Sequence, residues 1–545
     1  MTAPTQTPSG LVDPFARDHL PPAELWPTLD LTALDHPARL NAAVELVDAA
    51  VATHGPDRPA LRTPDGTVWS YGELLARANQ VAHVLVDDLG LVSGKRVLLR
   101  SPNNPWTVAA WLGVLKAGGI VVTTMAALRS TELRPIVERT RPAVALVDHR
   151  FVDDVEAVRD DTAPDLVVVT FGGAGADDLT RRAATKPTTF AAVDTAADDV
   201  ALFGPTSGTT GTPKITIHFH RDILAIDDTF GRGVLRLQPD DLVACTAPLA
   251  FTFGLGILVV FTLRAGACAL LTEAATPVQL ADLVAEHGVT ALATAPTAYK
   301  QIVKAGHLDR LVKLRVAVTA GEHMPQATWE EIERQLGLRV IDGIGATEML
   351  HIFISAAGDD IRPGATGKPV PGYRAAILDA DGNEAGPGVE GRLGVIGPVG
   401  CRYLDDPRQR GYVVNGWNVT GDTFLRDEDG YYWYRSRTDD MIVSSGYNIG
   451  GPEVEEALGT HPDVVEAGVV AAPDPERGSI VSAFVVLREG VSGDAAKVKE
   501  LQDHVKNTLA PYKYPREVRF IEALPRNTSG KLQHFKLRET IGSES

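Results

Sequence analysis

The chain has 545 residues, 44% apolar and 22% charged, which is too long for one ordinary hydrophobic core and too balanced to read as disordered. Its 52 Lys and Arg against 70 Asp and Glu leave a net charge of −18, so nucleic acid and anionic membrane surfaces are not expected partners. Three cysteines, Cys245, Cys268 and Cys401, lie too far apart for a disulfide framework or a metal-ligand spacing and suit a reducing cytoplasm.

Residues 1–22, "MTAPTQTPSGLVDPFARDHLPP", are Pro-rich, with neither the basic nor the apolar region of a secretory signal, and read as a surface lead-in. Short β-branched runs then alternate with helical patterns: "RVLLR" (96–100), "GIVVTTM" (119–125), "AVALVD" (143–148), "DLVVVT" (165–170), "TALATAP" (290–296), "LRVAVTAG" (314–321) and "LRVIDGIG" (338–345). That alternation predicts mostly parallel strands with crossover helices, a doubly wound α/β architecture. Between the first two runs, "PWTVAAWLGVLKAG" has helical spacing and stops at Gly118-Gly119, completing a βαβ unit. Leu242 to Leu263 carries no charge over a span long enough for a membrane helix. Pro248, Gly254 and Gly256 are expected to break it, giving strand, turn and buried helix instead.

In open α/β sheets ligands bind outside the carboxyl ends of the strands, so "TAGEHMP" and "DGIGATE" are candidate site loops. From about 370 to 436 the texture changes to strands bounded by Gly, Pro and Asp turns, which predicts a β-rich subdomain. Beyond about 440, helices at "GPEVEEALGT" and "AAKVKELQDHVKNTL" and strands at "DVVEAGVVAA", "SIVSAFVVL" and "REVRFIE" predict a small α+β domain.

The stretch "FGPTSGTTGTPK" (203–214) has the glycines and hydroxyls of an anion nest. It fits neither the Walker A pattern, because Thr212 and Pro213 separate Gly211 from Lys214, nor the dinucleotide G-x-G-x-x-G pattern. A plain surface turn is the lesser alternative for the loop alone, since Ser, Thr and Gly runs are common in loops. It is followed in order by "GIGATE" (343–348), "TGD" (420–422), "RSRTDDMIVSSGYNIGGPEVE" (435–455) and "PRNTSGK" (525–531). Together these five segments resemble the adenylate-forming ligases, with "GATEMLHIF" and "APLAFTFGLGILVVF" most similar to benzoate- and 2-aminobenzoate-CoA ligases.

The resemblance implies a large N-terminal adenylation domain, 1–438, and a mobile C-terminal domain, 439–545, hinged at Asp439. It also implies a two-step reaction: a carboxylate attacks the α-phosphorus of ATP to give acyl-AMP and pyrophosphate, then the coenzyme A thiol displaces AMP. By resemblance, Lys531 is the adenylation lysine, Lys214 closes the phosphate loop and Glu348 is the carboxylate linked to Mg²⁺. The implied nucleotide contacts are Thr206, Ser207, Gly208, Thr209, Thr210, Gly211, Gly321, Glu322, Asp342, Gly343, Ile344 and Thr347, with Asp422 on the ribose and Arg437 nearby. Ser445, Gly446 and Tyr447 are implied along the coenzyme A path. Two departures stand out: Ile344 replaces the usual aromatic ring against the base, and His534 replaces an arginine.

Thr252, Phe253, Phe261, Gly345 and His351 are the implied acid-binding residues. Phe253 and Phe261 are eight apart, close to two helical turns and hence on one face. Such spacing, like a lone histidine beside apolar residues, is ordinarily core packing, and the aryl-ligase resemblance is what points to a pocket for a flat ring. "HFH" (218–220) places two histidines at metal-pair spacing without a third ligand, so a structural role is expected. The expectation is a cytoplasmic aryl-CoA ligase, monomeric or homodimeric, using ATP, Mg²⁺ and coenzyme A on a benzoate-type acid, with 2-aminobenzoate favoured. The alternatives are an enzyme loading the acid onto a carrier-protein thiol and a catalytically silent ligand-binding relative.

Overall fold

Between residues 96 and 219 the apolar runs form one six-stranded sheet, in the spatial order Val167–Phe171, Val144–Asp148, Arg96–Arg100, Ile120–Thr124, Val200–Thr206, Lys214–Phe219. The computed structural model describes residues 7–32, 34–206, 213–322, 324–379, 381–437, 441–444, 447–474, 478–509, 513–527 and 530–542. The chain divides into two compact units, Met1–Ala375 with Val395–Asn418, and Ala376–Gly394 with Val419–Ser545.

The central strands of this sheet are buried at every position, the pattern of parallel strands covered on both faces. Helix Pro105–Lys116 makes the crossover between Arg96–Arg100 and Ile120–Thr124. Asn104 caps it by accepting from Thr107 N, and Pro105 stands where no amide partner is needed. The last pair is antiparallel, with Thr206 directly opposite Lys214. The strands on either side of the glycine-rich segment are thus antiparallel partners, whereas a Walker A segment follows a strand and leads into a helix.

A second sheet of the first unit has nine strands. Its six central strands, from Ile341–Gly345 through Val316–Ala320, Ala291–Thr294, Leu242–Cys245 and Cys268–Leu270 to Pro59–Arg62, are parallel. The flanking pairs with Ile352–Ser355 and Val68–Ser70 are antiparallel, so the sheet is mostly parallel, as expected. Leu242–Cys245 is indeed strand, followed by a buried helix. That helix runs unbroken from Thr252 to Arg264 through both Gly254 and Gly256, with a π-helical stretch at Gly256–Phe261. The expected breaks at these glycines do not occur; both glycines are there for close packing. Among the described residues no helix is long and apolar enough to cross a membrane.

Residues 374–437 supply the five strands of a further sheet. In the second unit, strands Val464–Asp474, Gly478–Leu487 and Glu517–Phe520 form a three-stranded sheet with helices Gly451–Gly459, Ala495–Thr508 and His534–Gly542. Its core joins Ile442 and Ile449 of the hairpin Met441–Ser444/Tyr447–Gly450 to Val454, Val469, Val481 and Leu501.

Candidate active site

Three distant segments of the first unit are stitched together by hydrogen bonds, and this builds the polar end of the site. On the open side of strand Lys214–Phe219, Ile217 N donates to the Arg402 carbonyl at 2.8 Å and Leu404 N to the Ile215 carbonyl at 2.9 Å. His218 ties in the third segment, its Nε2 lying 2.8 Å from the Thr347 carbonyl. A carbonyl only accepts, so the ring proton is assigned to Nε2. Burial keeps the ring neutral, its pKa pushed down to about 4. Gly204 permits the approach, since a Cβ there would lie 2.6 Å from Thr216 Oγ1 and 3.0 Å from Thr347 Cγ2.

Lys214, Glu348 and Tyr403 converge where these segments meet. Lys214 Nζ lies 2.9 Å from the Tyr403 hydroxyl and 3.3 Å from Glu348 Oε1, and the tyrosine hydroxyl donates to the same Oε1. Burial and the adjacent carboxylate push the phenol pKa far above its ordinary value, so the hydroxyl keeps its proton as donor. Lys214 also stands over the Tyr403 and Tyr412 rings, 4.9 and 5.8 Å from their centroids. Among the described residues both partners of Glu348 fall on Oε1, leaving Oε2 for a hard cation. One carboxylate completed by phosphate oxygens and water is a donor set that suits Mg²⁺.

Three residues beyond Glu348 in the chain, His351 sits among aromatic rings. Its centroid is 5.6 Å from Phe253, nearly parallel, 5.2 Å from Phe230 and 4.7 Å from Phe261 edge-on. Phe253 and Phe261 thus do share a face, as their spacing implies, and Phe230 joins them from a segment that carried no sequence signal. Burial drives the His351 pKa down to about 3, opposed by the Phe253 backbone. Neither ring nitrogen has a hydrogen-bond partner among the described residues. Gly256 makes room for the ring: a Cβ there would lie 2.4 Å from His351 Cδ2 and 2.6 Å from Nε2. Thr252, half-buried, opens this helix.

The remaining nucleotide candidates of the first unit gather at strand ends. Thr206 ends its strand opposite Lys214, and Ser207, Gly208, Thr209, Thr210 and Gly211 lie outside the described residues. Gly321 and Glu322 follow strand Val316–Ala320, whose Ala320 pairs with Gly343 of the adjacent strand carrying Asp342, Ile344 and Gly345. These are carboxyl ends of neighbouring parallel strands, where α/β sheets bind ligands. Ile344 is half-buried.

In the second unit, Asp422 lies directly opposite Arg437 across two antiparallel strands, with Asp422 N donating to Thr420 Oγ1 at 3.3 Å. Lys531 is exposed, on a turn closed by Asn527: Lys531 N donates to Asn527 Oδ1 and Asn527 N to the Lys531 carbonyl, both at 2.9 Å. His534 Nε2 lies 2.7 Å from Glu455 Oε1. Tyr447 opens strand Tyr447–Gly450, whereas Asp439, Ser445 and Gly446 lie outside the described residues.

His218 and His220 do not form a metal pair: His218 is spent on Thr347, and His220 Nδ1 accepts from Ala42 N at 3.1 Å. Among the described residues the one grouping of three potential metal ligands is His461, Asp463 and Glu500. There Lys497 Nζ already lies 2.6 Å from Asp463 and 2.7 Å from Glu500.

The parallel-sheet unit with its strand-end loops, followed by a small α+β unit carrying a lysine turn, defines an adenylate-forming ligase fold. The family model for the AMP-binding enzyme matches residues 47–402, and that for the AMP-binding enzyme C-terminal domain matches 453–531. The benzoate–CoA ligase of Thauera aromatica is 34% identical over 93% of this chain and 97% of its own length. The human mitochondrial acyl-coenzyme A synthetase ACSM3 is 32% identical over 90% of this chain and 87% of its own. Among solved structures, the anthranilate CoA ligase AuaEII in complex with anthranoyl-AMP superposes with a TM-score of 0.88 at 31% identity, covering 94% of this chain and 99% of that one. The chain belongs to the AMP-binding enzyme family, as an AMP-forming acid–CoA ligase.

Proposed function

We propose that the protein converts a benzoate-type acid, with 2-aminobenzoate favoured, to its coenzyme A thioester through an acyl-adenylate. The observation that carries the reading is His351: a buried, neutral imidazole with two unpartnered nitrogens, boxed by Phe230, Phe253 and Phe261 three residues beyond Glu348. An aromatic acid brought against this cluster would stack on its rings, and an ortho amine or hydroxyl reaching the imidazole would supply the hydrogen bond that it lacks. The names of the benzoate and anthranilate ligases in the comparisons support the same class of acid.

In the first half-reaction an acid oxygen attacks the α-phosphorus and pyrophosphate leaves. Lys214 offers charge to the phosphates, and Thr206, Thr347 and the strand-end residues Gly321–Glu322 and Asp342–Gly345 position the nucleotide. Mg²⁺, held through Glu348, would offset phosphate charge as pyrophosphate forms. Lys531 is assigned to the carboxylate and α-phosphate, where a preorganised cation acts most strongly. Asp422 and Arg437 are assigned to the ribose side. In the second half-reaction the coenzyme A sulfur attacks the acyl carbonyl and AMP leaves. Rotation of 439–545 against 1–438 about Asp439 is assigned to exchange Lys531 for the Ser445–Tyr447 segment between the halves.

The test is pyrophosphate release from substituted benzoates and fatty acids, with and without coenzyme A. The expected order places 2-aminobenzoate and benzoate first, with AMP release requiring coenzyme A. Preference for a medium-chain fatty acid would refute the aryl assignment.

A further inference from the structure

We propose that Tyr403 is a positioning residue for ATP, its hydroxyl setting the spacing between Lys214 and Glu348. The inference rests on the nucleotide reading above but concerns a residue that none of the signature segments contains.

The tyrosine is 1% exposed and its frame is held from both sides. Thr216 and Tyr403 form an antiparallel bridge, the flanking Arg402 and Leu404 exchange main-chain bonds with Ile217 and Ile215, and Tyr403 N donates to Gln409 Oε1 at 2.9 Å. Next to it, Arg402 is anchored by a fully buried pair with Asp222 at 3.0 Å. The phenol ring packs edge-on against Tyr412, with centroids 5.8 Å apart. The hydroxyl is therefore the fixed point of the cluster, while Lys214 and Glu348 reach it on longer, more flexible side chains.

A hydroxyl between the two charges changes what each can offer. It donates to Glu348 Oε1 and accepts from Lys214 Nζ, and its geometry is met with the ammonium still 3.3 Å from the carboxylate. Lys214 has three donors, two of them used here, so one remains for phosphate. Glu348 accepts both bonds on Oε1 and so can turn Oε2 toward a cation. With the hydroxyl removed, the ammonium and carboxylate close on one another, and each must be separated from the other before it can meet ATP or its metal.

The test compares wild type, Tyr403→Phe, Glu348→Gln and the double variant. MgATP affinity is read by calorimetry, and the two half-reactions by pyrophosphate exchange and by thioester formation from supplied acyl-AMP. Tyr403→Phe is expected to weaken MgATP binding about ten-fold, the scale of one hydrogen bond to a charged group, and to slow pyrophosphate exchange by at least as much. Thioester formation should stay within about two-fold, and adding the substitution to Glu348→Gln should do little more, because the hydroxyl acts through Glu348. Unchanged MgATP affinity in Tyr403→Phe overturns the inference, as does an equal loss in both half-reactions with a lowered melting temperature, which marks a purely structural tyrosine. If wild type binds MgATP yet forms no acyl-adenylate with any acid, the function reading falls, and the calorimetric comparison still decides the role of Tyr403.

Discussion

Replacing Gly256 by Ala tests the aromatic box directly. The added methyl would stand 2.4 Å from His351 Cδ2 and 2.6 Å from Nε2, with Phe261 Cε2 at 3.2 Å. Ordinary carbon contacts lie at about 3.5–4.0 Å, so the imidazole must retreat by roughly 1 Å. It is 3% exposed and hemmed by Phe230, Phe253 and Phe261, so the displacement passes into their packing. Overpacking of this kind costs about 1–3 kcal/mol. His351→Ala empties the space, so the double variant should recover most of that loss, giving a coupling energy of about 1 kcal/mol or more. Urea denaturation of the four proteins measures the cycle, and pyrophosphate release with benzoate and 2-aminobenzoate follows the acid side. Gly256→Ala should raise KM for both acids with little change in KM for ATP. Additive stabilities within about 0.5 kcal/mol, or an unchanged KM for the acids, would refute the reasoning.

Lys531→Ala should slow acyl-adenylate formation by about 10²–10³-fold while sparing thioester formation from supplied acyl-AMP; equal losses in the two assays would remove Lys531 from its assigned role. Asp222→Ala leaves Arg402 buried and without its carboxylate, so a loss of about 3–5 kcal/mol is expected by denaturation, with partial recovery when Arg402→Met is added. Stability should also fall with acidity. His218 and His220 have pKa values lowered by burial from 6.5 to about 4, and His351 to about 3. Below pH 6.5 the unfolded chain binds protons that the folded protein refuses, so stability declines from 6.5 toward 4, by on the order of 3 kcal/mol for each ring at the lower end. Asp227, raised to about 6 by burial against the pull of Arg264 and Arg232, works in the opposite sense between pH 6 and 3.8 and offsets part of this. A flat denaturation midpoint between pH 7 and pH 4.5 would contradict the buried neutral histidines.

Periodicity and punctuation were enough to read the alternating strands and helices, the buried helix after Leu242–Cys245 and the helices Gly451–Gly459 and Ala495–Thr508, because each reflects a local hydrophobic pattern closed by a local stop. The glycines of Thr252–Arg264 misled for a physical reason. Glycine marks either a break or a close approach, and only the ring of His351, 95 residues further along the chain, decides between them at Gly256. The flanking antiparallel strands were likewise invisible, since strand direction depends on partners and not on the strand itself.

By itself, the amino-acid sequence determined the class of fold and the residue types available for an adenylation site, through segments whose chemistry is local: hydroxyls and glycines before Lys214, a carboxylate at Glu348, a lysine at 531. Tertiary structure alone decided which side chains meet. Tyr403 bridges Lys214 and Glu348, Phe230 completes the box around His351, and His218 holds the Thr347 carbonyl, contacts spanning tens to hundreds of residues. No periodicity encodes such meetings. They arise from strand pairing and from the packing of helices over buried sheets, which bring together groups that share nothing in sequence except the space they come to fill.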